Sequence, residues 1–462
     1  MTDKIGAFER LMSRKVEAWA VGIIVAGLAA ASILFASVVM RQATGDHDFG
    51  AAGDAAVAIA SLPGTAKDTA KLLLKGRHAE LAAEEQRFGK EAGFHFSYPA
   101  GSEPDAGYLL LSRYDGDARR SVVELIDLDS QKTLHRWTPD FAAINARSTV
   151  KSNLTVLARD NAPRRARMFH PAPTADGGLI FQNMSPLVKI GACGEIDWMI
   201  DGIFHHSVEP APDGGYWASR FLEPQTVRGV ADTFKEDAIV HVSETGEVLF
   251  QKSLVDILRD NNLKRLVFGL DFYSDDPTHL NDIQPAFADG AHWRRGDLLL
   301  SLRNTSSLML YRPADNRVLW TQSGPWVNQH DVGFVGDGVV SVFNNNRMNN
   351  AGKSYVDGSN DIMVYDFASD HVSSPWKGAL RALDVRTISE GRSNVLPGGD
   401  LFVEESNNGR TMRIDANGAV VWSHVNRAAD GKVYLGNWSR YLPPEQGKAL
   451  AKTLARTACN AP

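Results

Sequence analysis

Four of the 13 histidines of this 462-residue chain stand at the head of one recurring phrase. His170 opens His-Pro-Ala-Pro-Thr-Ala-Asp-Gly-Gly, and His206 opens His-Ser-Val-Glu-Pro-Ala-Pro-Asp-Gly. His279 opens His-Leu-Asn-Asp-Ile-Gln-Pro, His330 opens His-Asp-Val-Gly-Phe-Val-Gly-Asp-Gly, and a sixth copy begins at Arg392. His206 and His330 each lie eight residues before an equivalent glycine, Gly214 and Gly338. If the copies are blades around an axis, equivalent positions meet at one depth of a channel, and Arg303 enters the same cavity one blade on. Three neutral imidazoles can hold a metal, but a guanidinium beside them would repel the ion. An imidazole nucleophile, a second imidazole and a guanidinium suit transfer of an anionic group instead. One nitrogen attacks sulfur or phosphorus, the cation neutralises the oxygens, and another imidazole handles the proton of the leaving oxygen. His170 taken alone reads as a cap or a packed core residue. No glycine-rich phosphate loop stands at a strand–helix junction, so a nucleotide sulfate donor has no recognisable cradle.

The elements that must position these residues repeat. Glycine or Asp-Gly, a short apolar run, an alternating strand, a polar turn and a Val/Trp strand recur six times, from Asp105 to Trp422. Examples are Asp176-Gly-Gly-Leu-Ile-Phe, Asp213-Gly-Gly-Tyr-Trp-Ala, Gly296-Asp-Leu-Leu-Leu-Ser, Gly336-Asp-Gly-Val-Val-Ser and Gly399-Asp-Leu-Phe-Val. Short strands in units of this length predict an all-β, six-bladed β-propeller over residues 101–428. In this reading the histidines precede the inner strands. The longest insertions fall between Arg220 and Asp297; Ser253–Leu263 reads as helix and Tyr273–Pro277 as loop. Phe268, Phe272, Tyr273 and Trp326 lie where they either face an aromatic ligand or join the core.

Outside the propeller, Ala18 to Met40 runs without a charged side chain and is long enough to cross a hydrocarbon core of roughly 30 Å. Lys4, Arg10, Arg14 and Lys15 precede it, and only Arg41 follows before Lys67. That bias predicts a cytoplasmic tail (1–17), one transmembrane helix (18–40) in the inner membrane, and the remaining chain on the periplasmic side. A cleaved signal peptide is the rival reading, although its apolar region usually runs only about 7–15 residues. Residues 41–100 read as a linker or stalk with an amphipathic helix over Lys67–Lys90, and 429–462 as a C-terminal tail with a helix. In an oxidising compartment a disulfide between Cys193 and Cys459 would pin that tail; two separate thiols also fit. With 49 Lys+Arg against 55 Asp+Glu the chain has no basic stripe for nucleic acid. A mean hydropathy of −0.22 excludes a polytopic membrane protein but allows one span. A homo-oligomer is compatible with all of this.

Four stretches resemble the bacterial arylsulfate sulfotransferase family. They are Phe204-His-His-Ser-Val-Glu-Pro-Ala-Pro-Asp-Gly-Gly, Asp276-Pro-Thr-His-Leu-Asn-Asp-Ile, Gly296-Asp-Leu-Leu-Leu-Ser-Leu-Arg-Asn and Asn328-Gln-His-Asp, in that order between about Asp176 and Trp422. The resemblance implies an exported six-bladed propeller that moves a sulfuryl group from an aryl sulfate to a phenol, without a nucleotide sulfate, metal or other cofactor. It implies that His330 is the nucleophile of a ping-pong route through a sulfohistidine. His279, Asn281 and Arg303 would bind the sulfuryl oxygens, and His206 would act as acid/base, with His205 its neighbour in the substrate site. The chain departs from the family in its apparent anchor, in Asn304 where some members carry histidine, and in lacking a close-spaced cysteine pair. The roles of Arg347 and Arg392 depend on strand registers that the sequence does not fix. A non-enzymatic propeller serving as a binding or assembly module, and a histidine-ring metal hydrolase or lyase, are the alternatives the residues leave open.

Overall fold

The computed structural model describes residues 17–43, 49–74, 81–98, 105–269, 271–350 and 353–459, so most of the expected cytoplasmic tail lies outside them. The chain forms two compact units, Met1–Ala79 and Glu80–Pro462. The first holds two helices, Ala18–Ala43 and Gly50–Leu74. Ala18–Gln42 is apolar and long enough to cross a membrane. The amphipathic helix expected over Lys67–Lys90 is not formed as such. Helix is described only as far as Leu74, and Leu81 packs instead on Tyr114 and Tyr434 while Ala82 bridges to Tyr434. Burial of Leu81 and Ala83 outweighs local helix propensity there.

The second unit is a six-bladed β-propeller. Blade two is the sheet Phe169–Pro173, Leu179–Gln182, Leu187–Ile190 and Ile196–Ile200, and blade three runs Ile203–Pro210, Tyr216–Leu222, Glu236–Val242 and Val248–Ser253. Blade four comprises Leu280–Pro285, Leu298–Leu302, Ser307–Arg312 and Arg317–Ser323. Blade five comprises His330–Gly336, Val339–Asn344, Asp361–Asp366 and His371–Ser373, with a hairpin, Arg347–Asn350 and Lys353–Val356, between its second and third strands. Blade six starts at Arg392–Val395 and ends at Val420–Val425, with Gly93–Phe96 added outside it. Blade one is closed from the far end of the chain. Arg440–Leu442 pairs antiparallel with Tyr108–Leu110 and becomes its innermost strand. The ring therefore draws on residues on both sides of 101–428. Helix Leu254–Asp260, capped by Ser253, supplies the helical insertion after blade three.

The first strands of blades two to six touch one another in turn around the axis. His170, His206 and His330 lie within these strands, His206 inside Ile203–Pro210 and His330 at the head of His330–Gly336, whereas His279 stands just ahead of Leu280–Pro285 as expected. Pro171, Pro173, Pro210 and Pro285 fall within these inner strands. At an edge strand facing the channel they cost no ladder bond, so the strand persists. Side chains stitch the inner strands together. Ser207 Oγ accepts from the Ile283 amide (3.0 Å), Asp282 from Val332 (2.8 Å) and Asp331 from Ser393 (2.6 Å). Cys193 and Cys459 form a disulfide, Cα to Cα 5.3 Å, that ties the end of the chain to blade two.

Candidate active site

Near the start of each of the six inner strands, one non-glycine residue is held left-handed. These are His170 (φ 43°), His206 (58°), His279 (53°), Asp331 (42°), Glu390 (58°) and Trp438 (65°). The ladders slip beside His170, His206 and Asp331, where the strand carries extra residues. Such bulges bend a strand and re-aim its side chains. Positive φ costs a bulky residue of order 1 kcal/mol or more, and such residues cluster at functional sites.

These backbones bring the imidazoles together. The His206 ring centroid lies 4.9 Å from that of His279 and 6.2 Å from that of His330. His330 is buried. Its Nδ1–H donates to Asn345 Oδ1 at 2.6 Å, and its Nε2 accepts from the Glu390 amide at 3.2 Å. His279 Nδ1 is 2.7 Å from Asp276, while its buried Nε2 has no partner among the described residues. Asn281 donates to the Gln329 carbonyl, which leaves its Oδ1 unpartnered in the same layer. Arg303 bends off the end of strand Leu298–Leu302 in a short 3-10 turn and donates its Nε–H to Asn304 Oδ1 (3.0 Å). It makes no ion pair among the described residues.

Electrostatics keep this cluster basic and neutral. Burial holds His206 well below the usual histidine range, reinforced by the charges of His279, His205, His330 and Arg303. Burial and then Arg303 hold His330 down in the same way, with the Asn345 bond opposing. His279 is lowered less, because Asp276 partly offsets burial. Burial pushes Asp276 up, but the His279 bond with His279, Lys235 and Arg303 carries it well below the carboxylate range. Arg303 is lowered by burial to about 10 and remains a cation at neutral pH.

His205 sits behind His206 rather than beside the cavity. It is buried, stacks on Phe221 at 4.0 Å, has Nε2 3.2 Å from Asp237, and offers Nδ1 to His206 Nδ1 at 2.9 Å. Trp326 is core, whereas Phe268, Phe272 and Tyr273 are exposed. Arg347 lies in the blade-five hairpin, bonded to Asn349 and Ser354. Arg392 belongs to a deeper layer with His170, Glu209, Asp331 and Arg440. There, among the described residues, His170, Glu209 and Asp282 are the one group with ligand atoms within 4.8 Å. The two guanidiniums already pair with Glu209, and together they disfavour a cation.

Sequence reasoning passed over Asp276, Asn345, Glu390 and Trp438. Asp276 had a visible signal, three residues before His279 in the same quoted stretch. Asn345 lies in the Asn344–Asn346 run that follows a strand and looks like turn chemistry alone.

The structure is similar to that of a Bacteroides caccae protein of unknown function, with a TM-score of 0.45 at 14% identity, covering 74% of this chain and 99% of that one. It is also similar to virginiamycin B lyase from Staphylococcus aureus, with a TM-score of 0.37 at 10% identity, covering 73% and 90%. No curated protein matches the chain in sequence. The arylsulfotransferase (ASST) family matches residues 193–427, just over half of the chain. The match takes in His205, His206, His279, Asn281, Arg303 and His330, and supports sulfotransferase activity in general. On that match, the chain belongs to the arylsulfotransferase family.

Proposed function

We propose that this chain moves a sulfuryl group from an aryl sulfate ester to a phenol by a ping-pong route through a sulfohistidine at His330, with no nucleotide sulfate donor and no metal. One observation carries the reading: His330 is a buried neutral imidazole with its proton fixed on Nδ1, in the field of the Arg303 guanidinium, which makes no ion pair among the described residues. In the first half-reaction Nε2 attacks sulfur, the N–S bond forms and the S–O(aryl) bond breaks. The lone pair passes from the Glu390 amide to sulfur, and giving up that 3.2 Å bond costs about 1 kcal/mol. Asn345 Oδ1 holds the Nδ1 proton of the sulfoimidazolium. Arg303, His279 and Asn281 bind the sulfuryl oxygens as charge spreads onto them. The aryloxide leaves with a proton relayed from water through His206. In the second half His206 takes the proton of the incoming phenol, whose oxygen attacks sulfur and returns the N–S electron pair to Nε2. Helix Ala18–Ala43 anchors the propeller in the inner membrane, with the catalytic unit on the periplasmic side.

The test is turnover of a chromogenic aryl sulfate with and without phenol, followed by intact mass after quenching with donor alone. Phenol-dependent release with a gain of about 80 Da on the His330 peptide, absent in His330→Asn, is expected. No adduct and no turnover across several donors would favour the binding-module alternative.

A further inference from the structure

Trp438 lies outside the family match, in a segment that reads from sequence as a tail. In the structure its indole is fully buried and borders three imidazoles. Ring centroids are 5.1 Å from His170, 6.2 Å from His206 and 6.1 Å from His330. It therefore borders both His206 and His330 of the candidate site and His170 of the charged cluster. Its Nε1–H, also buried, has no hydrogen-bond partner among the described residues. Leaving such a donor unpaired costs about 1–3 kcal/mol, and buried indole N–H groups usually find an acceptor.

The chain also invests in holding the residue there. Trp438 is left-handed at φ 65°. Buried Glu404 accepts from both the Trp438 amide (2.8 Å) and the Ser439 amide (2.7 Å). Asn437 is fixed by Arg167 (2.6 Å) and Ser121 (3.0 Å), and its carbonyl accepts from the His170 amide (3.0 Å). The indole N–H of this left-handed, backbone-locked residue is left without an acceptor among the described residues.

We infer that Trp438 is a further substrate-binding residue, whose indole N–H donates to an oxygen of the sulfuryl group held between His330 and Arg303. This rests on the sulfotransfer reading for the identity of the anion, while the donor site itself does not depend on it. Each sulfuryl oxygen needs a donor as charge accumulates, and a preorganised N–H costs nothing to reorient.

The whole protein, labelled with 15N at its indoles, tests this directly. Of the 10 tryptophans, the resonance absent in Trp438→Phe is assigned to Nε1. That resonance should shift on adding orthovanadate or an aryl sulfate. In Trp438→Phe, adduct formation on His330 should slow about 10²-fold, within the range for loss of one oxyanion donor. No shift of that resonance with either anion overturns the proposal, as does a Trp438→Phe variant that forms the adduct at the parent rate. Because the shift is read on the parent protein, it decides the matter even if the variant folds poorly. A shift with vanadate but no adduct on His330 would uphold the anion site and sink the sulfohistidine reading, so the two fail separately.

Discussion

Asn345 Oδ1 accepts from His330 Nδ1 at 2.6 Å, and the orientation of that amide is fixed from behind. Asn345 Nδ2 donates to the carbonyls of Thr387 (3.1 Å) and Glu390 (2.8 Å), so only the oxygen can face the imidazole. His330 must then carry its proton on Nδ1 and leave Nε2 as the basic nitrogen. A side chain without charge thus sets the tautomer and so selects the attacking atom.

Asn345→Ala should keep the fold while lowering kcat about 10–10²-fold, because only the longer Glu390 amide bond to Nε2 then favours the Nδ1–H tautomer. The 15N shifts of His330 report the cause. The parent should show a protonated Nδ1 and a bare Nε2, and the variant a mixture. A variant with an unchanged tautomer and unchanged kcat would remove Asn345 from the mechanism.

Much of this arrangement was legible in the sequence, because propeller blades repeat their turns. Asp213-Gly-Gly and Gly336-Asp-Gly mark the same hairpin in two blades, and counting back from Gly214 and Gly338 finds His206 and His330. What the count cannot see is backbone hand and slip. Left-handed residues are expected at glycine, yet here they are His170, His206, His279, Asp331, Glu390 and Trp438. The prolines of the inner strands hid those strands, since a channel-facing edge tolerates them. Trp438 and Arg440–Leu442 reach the site by closing the ring, a contact across more than 300 residues (|i−j| 327 for Ser112 and Ser439) that no local pattern announces.

Arg303 offers a cation with no ion-pair partner among the described residues, and it lies in the fields of His206, His279 and His330. Arg303→Gln should slow formation of the His330 adduct by about 10²–10³-fold, the range for loss of one charge-stabilising group. Arg303→Lys should recover part of that, since it restores charge without the planar fork. Single-turnover mass spectrometry with donor alone isolates the step. Equal rates in all three proteins would place the arginine outside the site.

The lowered histidines give acidification a sign. His170, His206 and His330 are held well below 6.5 by burial, and His424 is lowered to about 3, again first by burial. Between those values and 6.5 the unfolded chain binds protons that the folded chain does not, so stability falls as pH falls through 6.5. The loss is about 1.4 kcal/mol per pH unit for each such group. Buried Asp282 and Asp331 are raised and act oppositely, recovering stability as pH falls. Four histidines outweigh two aspartates, so the urea midpoint should drop between pH 7 and 5. Activity should hold over a wider range: kcat/KM stays flat from pH 7 to 6, because His330 and His206 remain neutral there. An acid limb centred near 6.5 would contradict their burial.

The disulfide between Cys193 and Cys459 reaches the site through the ring closure. It pins the end of the segment that carries Trp438, strand Arg440–Leu442 and helix Pro444–Leu454, whose Leu450 and Leu454 pack with Tyr108 and Leu179. The sequence separation is 266 residues, for which the chain-entropy model gives an upper figure of about 5 kcal/mol. Because Leu450 and Leu454 are buried in the core, packing of the helix holds much of the segment without the bridge. Cys459→Ser should therefore lower Tm by a few degrees rather than unfold the propeller, and dithiothreitol should lower the parent to the same value while leaving the variant unmoved. The 15N resonance of the Trp438 indole should broaden in Cys459→Ser, since the strand beside it loses its far tether. A parent protein indifferent to reductant in both Tm and that resonance would mean that the helix alone carries the closure.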